Sequence, residues 1–478
     1  MTDTLRDRMR RDLAGGALLR RAAEHALTYL EEVDERPVAP TPEALLALSA
    51  FDEALPDASS EAAEVLDLLN RFGGPATMAQ MGGRYFGFVN GGAVPIGLAA
   101  RWLADVWDQN SALDIMSPVS ARLEAVAEGW LNDLFGLPSG SAAGFVSGTS
   151  LATVAGLAAG RWRILRTLGW DVTVDGLAGA PAIRIVTGRH THSAVLKAVG
   201  LLGFGTGSIE YVDVDDQGRL IAQEMPALDP TCLVILQAGN VNSGAFDPID
   251  AVCEMANRAG AWVHIDGAFG LWAQASDRLR PLTAGMQRAQ SFSVDGHKTL
   301  NTPYDCGIVI ATDREALAGV LQASGAYLQF GGGRDGMSTT PEMSRRARGV
   351  EVWAILKSLG RAGVDELVTG LHDRAVQLGH EMADAGFEVL NNVVFNQVLV
   401  ALDTDAKTEA LLAAVQAGGE CWVGGSTWFG RKVIRISISS WVTTAADVTR
   451  TVNAFISARE KQRADPSARA AALQGDGS

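Results

Sequence analysis

Residues able to do chemistry cluster in segments where an apolar run stops. In SFSVDGHKTLNTPYDCG (residues 291–307) such a run ends at His297 and Lys298, and a loop with Asn301, Pro303 and Tyr304 follows. A lysine amine among small residues just past a strand end is a good nucleophile for a carbonyl carbon; the same placement suits a solvated loop lysine. In AWVHIDGAFG (261–270) Asp266 closes an apolar run, where a carboxylate can hold a buried cation or cap a following helix. In GFVSGTSLATVAGLAAGR (144–161) Ser147, Gly148, Thr149 and Ser150 join a strand to a helix start. Free N–H groups, the helix dipole and the hydroxyls there make a cup for an anion, or serve as plain capping. In VTGRHTHSAVLKAVGLLG (186–203) His192 stands between strand and helix, able to stack on a flat ring or move a proton. His190 competes with it, and a structural role suits either. The cup carries neither GxxxxGK[ST] nor GxGxxG, so the nucleotide-phosphate loops are absent there.

The elements that must position these groups read as an α/β domain. AGFVSG, IRIVTG, SIEYVDV, CLVILQAG, AWVHIDG, SFSVDG and CGIVIAT are apolar on both faces and alternate with helical LATVAGLAAGRWRILRTLG, SAVLKAVGLLG and PIDAVCEMANRAG. That pattern predicts a mainly parallel sheet covered by helices, with ligands at the carboxyl ends of its strands. We assign residues 1–95 to a helical N-terminal segment, with a capped helix start at Thr41-Pro42-Glu43, and 96–345 to the large domain. Residues 346–464 read as a smaller α+β domain: a long helix broken at glycine, then FEVLNN, NQVLVAL and KVIRISISS. The tail, 465–478, is small and polar and reads as disordered.

Composition narrows the function classes. With 478 residues, 47% of them hydrophobic, the chain can bury a large core in two or three packed units. A net charge of −15 argues against nucleic acid or an acidic membrane as a general partner. No run of about 18 uncharged apolar residues predicts a membrane span. The charged start MTDTLRDRMRRDLAGG lacks the apolar core of a secretory signal. Cys232, Cys253, Cys306 and Cys421 are scattered, without metal or disulfide spacing, which suits reduced thiols in the cytoplasm and predicts no structural metal.

Anion cup, ring-facing histidine, strand-end aspartate and His-Lys, in that order, resemble the fold-type I enzymes of pyridoxal 5′-phosphate (PLP). The text is closer still to the group II PLP-dependent amino-acid decarboxylases, the family of the aromatic-amino-acid and glutamate decarboxylases. The resembling stretches are RYFGFVNGG, SPVSARLEAVAEGWLNDLFGLP, SGTS, HTHSAVLKA, GAFDPID, HIDGAFG, DGHKTLNTPYDCG and SRRARGVEVWAILKSLG, from about residue 80 to 360. The resemblance implies PLP held as a Schiff base on Lys298, with His297 on the phosphate side and Thr149 and Ser150 in the phosphate cup. It implies Asp266 on the pyridine nitrogen, Ala268 as the small residue near the ring, and His192 stacked over the cofactor. Asn242, with Asn240, stands where the family often has threonine, implying a ring-hydroxyl or phosphate contact. Phe88 and Asn90 match substrate-pocket positions; Trp107, Gln109 and Asn110 match positions supplied by the partner subunit of a homodimer with shared active sites. The reaction implied is decarboxylation of an L-amino acid to an amine and CO₂, the substrate carboxylate being held out of the ring plane by His192.

One departure bears on the reaction. The family commonly carries a tyrosine, serving in protonation of the substrate carbon, on a loop before the SRRARG-like stretch. Here the loop LQFGGGRDGMSTTPEMSRRARG has none, and Tyr327 lies upstream of it. Transamination, oxidative deamination and carbon–carbon cleavage therefore stand beside decarboxylation, and a non-catalytic binding protein is the remaining alternative. Arg435 suits either a carboxylate-binding role or an ordinary strand arginine.

Overall fold

The computed structural model describes residues 4–323 and 333–464. Tyr327, the start of the Gly-rich loop and the tail from Asp465 lie outside the described residues.

Four helices open the chain: α1 (Leu5–Leu13), α2 (Ala17–Glu32), α3 (Pro42–Ala47) and α4 (Ala62–Leu68). The Thr41 hydroxyl accepts the Ala44 N–H and Pro42 takes the first turn of α3, where its missing donor costs nothing. Then come α5 (Pro95–Trp107) and α6 (Pro118–Leu134), each started by proline.

The seven predicted strands all form: β1 (Ala142–Val146), β2 (Arg184–Gly188), β3 (Glu210–Val212), β4 (Cys232–Gln237), β5 (Trp262–Asp266), β6 (Ser291–Asp295) and β7 (Gly307–Ala311). They make one sheet in the order β1-β7-β6-β5-β4-β2-β3. Only β7 opposes the others: it pairs antiparallel with β1 and β6, and the remaining pairs are parallel. The polar groups that follow β1, β2, β4, β5 and β6 therefore gather at a common edge. The linking helices are α7 (Thr149–Thr167), the short α8 (Val172–Asp175), α9 (Ser193–Leu201), α10 (Ile249–Ala259) and α11 (Arg314–Leu321). Alternate residues of each strand feed two cores. Leu233, Ile235 and Val309 pack beneath α7, α9 and α11, and Val234, Val263 and Phe292 pack on α6, α10 and the next helix. This is why the strands read as unbroken apolar runs.

That next helix, α12 (Gly349–Asp384), bends at Gly360, where φ is 60°, matching the predicted glycine break. It leads to β8 (Glu388–Val389), β9 (Gln397–Ala401), α13 (Asp405–Gly418), β10 (Gly424–Trp428), β11 (Arg431–Ser437) and α14 (Ala445–Ala464). The strands form an antiparallel sheet in the order β10-β11-β9-β8. Strand β10, GGSTW, escaped the sequence reading: an edge strand opening on two glycines has neither an apolar run nor a clean alternation. Cys232, Cys253, Cys306 and Cys421 are free and buried.

Candidate active site

The loops leaving the carboxyl edge of the large sheet enclose a cavity of ≈ 560 Å³ whose walls include Asn90, Thr149, His192, His297, Lys298 and Tyr304. Ser147 and Ser150 line it as well.

The lysine turn is held from several sides. Lys298 Nζ lies 3.1 Å from Asp295 Oδ2, and its side chain is 18% exposed. Asn301, in the left-handed region at φ 57°, donates its Nδ2–H groups to the carbonyls of Lys298 (2.6 Å), Thr299 (3.1 Å) and Ser439 (2.9 Å). Gly91 donates its N–H to the His297 carbonyl at 3.3 Å. A Cβ at Gly91 would sit 2.3 Å from the Lys298 carbonyl oxygen, so only glycine lets that segment press on the turn. His297 accepts the Cys306 N–H on Nδ1 at 3.1 Å and lies tilted on Tyr304, ring centroids 4.3 Å apart. Burial holds its pKa below the usual range.

Asp295 is a site residue that sequence reasoning missed. It accepts both the backbone N–H (2.7 Å) and the hydroxyl (2.9 Å) of Thr149, at the mouth of the anion cup. The partners are 146 positions apart, so no local spacing announces the contact. Its acidic side chain within the His-Lys segment was the available signal.

His192 caps α9: Nδ1 accepts the Ala194 N–H at 3.2 Å, and its own backbone N–H donates to Gln237 Oε1 at 3.1 Å. Burial, opposed by the Asp266 charge, pushes its pKa down. A neutral imidazole accepting on Nδ1 carries its proton on Nε2, where it is a donor. His190 takes a different place, packed against Trp428 and Phe429.

Asp266 ends β5, 6% exposed, and Oδ1 accepts the Ala268 N–H at 3.2 Å. Burial pushes its pKa up, while the charges of His192 and Lys298 pull it back. Among the described residues it forms no ion pair. A buried carboxylate without a cation of its own is costly, and the arrangement suits a cation brought by a ligand. A protonated pyridine nitrogen is such a cation. With the amine of Lys298, the hydroxyls of the cup and the small Ala268 beside Asp266, the residues present fit PLP.

The remaining predicted residues separate. Asn90 lines the cavity, donating to Gln80 Oε1 (3.1 Å) and accepting the Tyr304 hydroxyl on Oδ1 (2.9 Å). Phe88 stacks on Trp422, centroids 5.4 Å apart. The Asn242 side chain accepts the Ser426 hydroxyl at 2.7 Å, which ties it to β10. Asn110 Oδ1 accepts the backbone N–H groups of Ala112 and Arg345. Arg435, by contrast, reaches toward the site. Its guanidinium donates to the Val241 carbonyl at 3.1 Å, has no acidic partner among the described residues, and its charge bears on His192.

Comparison with known proteins agrees with this chemistry. A family model described as the pyridoxal-dependent decarboxylase conserved domain matches residues 42–402. Tryptophan decarboxylase 1 of Oryza sativa subsp. japonica is 28% identical over 368 residues, 68% of this chain and 70% of that protein. Aromatic-L-amino-acid decarboxylase of Bacillus atrophaeus is 24% identical over 379 residues, 76% and 75% of the two chains. Among solved structures, Oryza sativa TDC with PLP and tryptamine aligns with a TM-score of 0.87 at 22% identity, covering 95% of this chain and 98% of that one. Mouse CSAD aligns with a TM-score of 0.85 at 20% identity, covering 93% and 98%. At these identities the structural likeness is one of fold.

Proposed function

The chain belongs to the pyridoxal-dependent decarboxylase family, and on that premise we propose how its residues divide the work. It is a PLP-dependent carboxy-lyase acting on an amino acid. PLP, when bound, supplies an electron sink for the pair left on the substrate's α-carbon as CO₂ departs.

Lys298 would hold the cofactor through Nζ, which now lies 3.1 Å from Asp295 Oδ2. Ser150 and His297 would hold the phosphate end, joined by Thr149 once its N–H and hydroxyl turn from Asp295 to the phosphate; Asp266 would keep the ring nitrogen protonated, and Ala268 would leave room for the ring. His192 would offer Nε2–H to the substrate carboxylate and orient it for loss as CO₂, with Arg435 as the nearby cation that would draw the carboxylate in. Asn90 and Tyr304 form a polar wall. The Tyr304 hydroxyl gives its proton to Asn90, so its oxygen is an acceptor for a donor on the substrate side chain. That wall and the two relatives' names together favour an aromatic L-amino acid bearing a hydroxyl or ring N–H. Phe88 contributes from the rim, and Asn242 supports the site through Ser426.

We place the enzyme in the cytoplasm as a homodimer with shared sites. Among the described residues no helix is long and apolar enough to cross a membrane, and four free cysteines suit a reducing compartment. Trp102, Leu103 and Val106 on α5, and Ile115 and Met116 after it, are exposed apolar side chains of the kind a second copy covers. In that dimer Asn110 lies near the partner's cavity. Light scattering at micromolar protein tests it; a monomer there contradicts the shared site.

The observation that carries this reading is the meeting of Lys298, His192 and the anion cup in one cavity, with Asp266 buried within reach of their charges. The test is a panel of L-amino acids followed by CO₂ release and product mass, with absorbance above about 400 nm recorded for the wild type and Lys298→Ala. We expect CO₂ and an equal amount of amine, and a band lost in the variant. Ammonia or a keto acid without CO₂ would overturn the assignment.

A further inference from the structure

Beneath α7 the sheet buries a polar ladder that the site as described does not use. His264 lies two residues before Asp266 on β5 and shares its face; Ser291 and Ser293 stand beside them on β6. All three are fully buried, as is Thr153 of α7. The Trp262 indole N–H donates to Ser291 Oγ at 2.9 Å, and Ser291 Oγ lies 2.9 Å from His264 Nδ1. On its other side His264 Nε2 lies 3.3 Å from Ser293 Oγ, which is 3.4 Å from Asp266 Oδ1. Thr153 donates to Ser293 at 3.0 Å. The two inner links are at the long end of hydrogen bonding, as site contacts often are before ligand binds.

Two tautomers of His264 give every donor of the ladder a partner, and one of them carries the chain through to Asp266. Burial drives the His264 pKa down to about 3, so the ring is neutral, with one N–H and one lone pair. Ser291 then donates to Nδ1, Nε2–H donates to Ser293, and Ser293 donates to Asp266. In the opposite tautomer Nδ1–H donates to Ser291, whose hydroxyl turns to the Gly156 carbonyl at 3.4 Å, and the Ser293 proton turns toward His264, which leaves that Asp266 oxygen only the Ala268 N–H. A ladder of apolar residues of the same shape would pack at least as stably, because buried polar pairs gain little net. The ladder also ends on a group with chemistry to do. Gly156 of α7 makes room for it: a Cβ there would lie 2.7 Å from His264 Cε1.

We propose that His264 is a positioning residue which, through Ser293, directs a hydrogen bond onto the Asp266 carboxylate and so sets how firmly Asp266 keeps the cofactor's ring nitrogen protonated. The proposal rests on the reading of Asp266 as the ring-nitrogen partner. The other ionisable groups facing Asp266 are His192, Lys298 and Asp295, and all stay in place in the variants below.

The test uses the PLP-loaded enzyme and reads the PLP dissociation constant and the pH midpoint of the bound cofactor's absorbance change. Losing the relay makes Asp266 more basic, draws the shared proton off the ring, and removes positive charge near the Lys298 nitrogen. The midpoint therefore rises, by roughly half a unit, in His264→Leu and Ser293→Ala. PLP binding weakens roughly tenfold, the scale of one hydrogen bond to a charged group. His264→Gln keeps a donor near the Nε2 position and stays close to wild type in both readouts, which a merely structural role for the ring would not produce. Ser293→Ala removes a single oxygen and keeps the test open if His264→Leu fails to fold. Asp266→Asn separates the two claims. If it changes binding and spectrum while His264→Leu and Ser293→Ala do not, the relay is overturned and the Asp266 assignment stands. If Asp266→Asn changes neither readout, the assignment of Asp266 itself is wrong.

Discussion

The two faces of the large sheet are packed by different rules. Toward α6, α10 and α12 the strands present Val234, Val263, Ile265, Phe292 and Val294, an apolar layer throughout. Toward α7, beside the apolar Leu233 and Ile235 of β4, strands β5 and β6 present His264, Asp266, Ser291, Ser293 and Asp295, met by Thr149 and Thr153. Neighbouring residues on one strand therefore do separate jobs: Phe292 holds the fold, and Ser293 serves the site. Polar groups in a core contribute little net stability when paired, so a face that carries so many is organised around the ligand at its end.

That contrast can be broken in several ways. The largest stability effect belongs to the apolar face. Phe292→Ala should cost about 3–5 kcal/mol of unfolding free energy. Denaturant melts will read it, and the surviving folded fraction should keep the wild-type cofactor spectrum. Gly156→Ala adds a methyl where His264 lies and should cost about 1–3 kcal/mol by overpacking. Unlike Phe292→Ala, it should also move the absorbance midpoint in the same direction as His264→Leu. A melt that shifts while the midpoint holds would mean that the ladder is packing alone.

The next effect is a slope. His264 has its pKa depressed to about 3, so between that value and the ordinary 6.5 the unfolded chain takes a proton that the folded one refuses. Its contribution to stability is intact above the ordinary value and erodes as pH falls through this window. Asp247, raised to about 6 by burial, acts in the opposite sense over the upper part of the same window and is common to both proteins. Wild type should therefore lose stability faster than His264→Gln between pH 6.5 and 4, and equal slopes would contradict a buried neutral imidazole. The smallest effect lies off both faces. Tyr304→Phe keeps the ring against His297 and removes only the hydroxyl, so KM for a donor-bearing substrate should rise roughly tenfold with kcat little changed. An unchanged KM removes Tyr304 from substrate recognition.

The frame was legible in the sequence where burial is complete. Most strands of the large sheet are buried runs ending in a turn signal, and the common edge follows from parallel pairing. Lys298, His192 and the Ser147–Ser150 turn, which line one cavity, could be singled out because each stands at the end of such a run. What could not be read is the direction and partner of a side chain. Asn242 and Asn110 occupy promising positions, yet the fold turns one to Ser426 and the other to the backbone of Arg345. Asp295 and Tyr304 looked ordinary until Thr149 and Asn90 arrived from far along the chain. His264 read as one more residue of a buried strand, since its partners lie on α7 and β6.

The single reversed strand has a consequence for how the enzyme comes into being. Because β7 returns directly beside β6, with Asp295 opposite Gly307, Lys298 sits in the bend of a hairpin whose strand pairing is short in sequence. The same β7 is also the seat for β1, which brings the cup from far upstream, Val146 opposite Gly307. Local contacts form quickly and distant pairings slowly, so the β6–β7 hairpin should pair before β1 docks with the cup. During refolding with PLP present, tight capture of the cofactor should trail the recovery of secondary structure, making the yellow colour of the loaded enzyme a clock for the docking of β1.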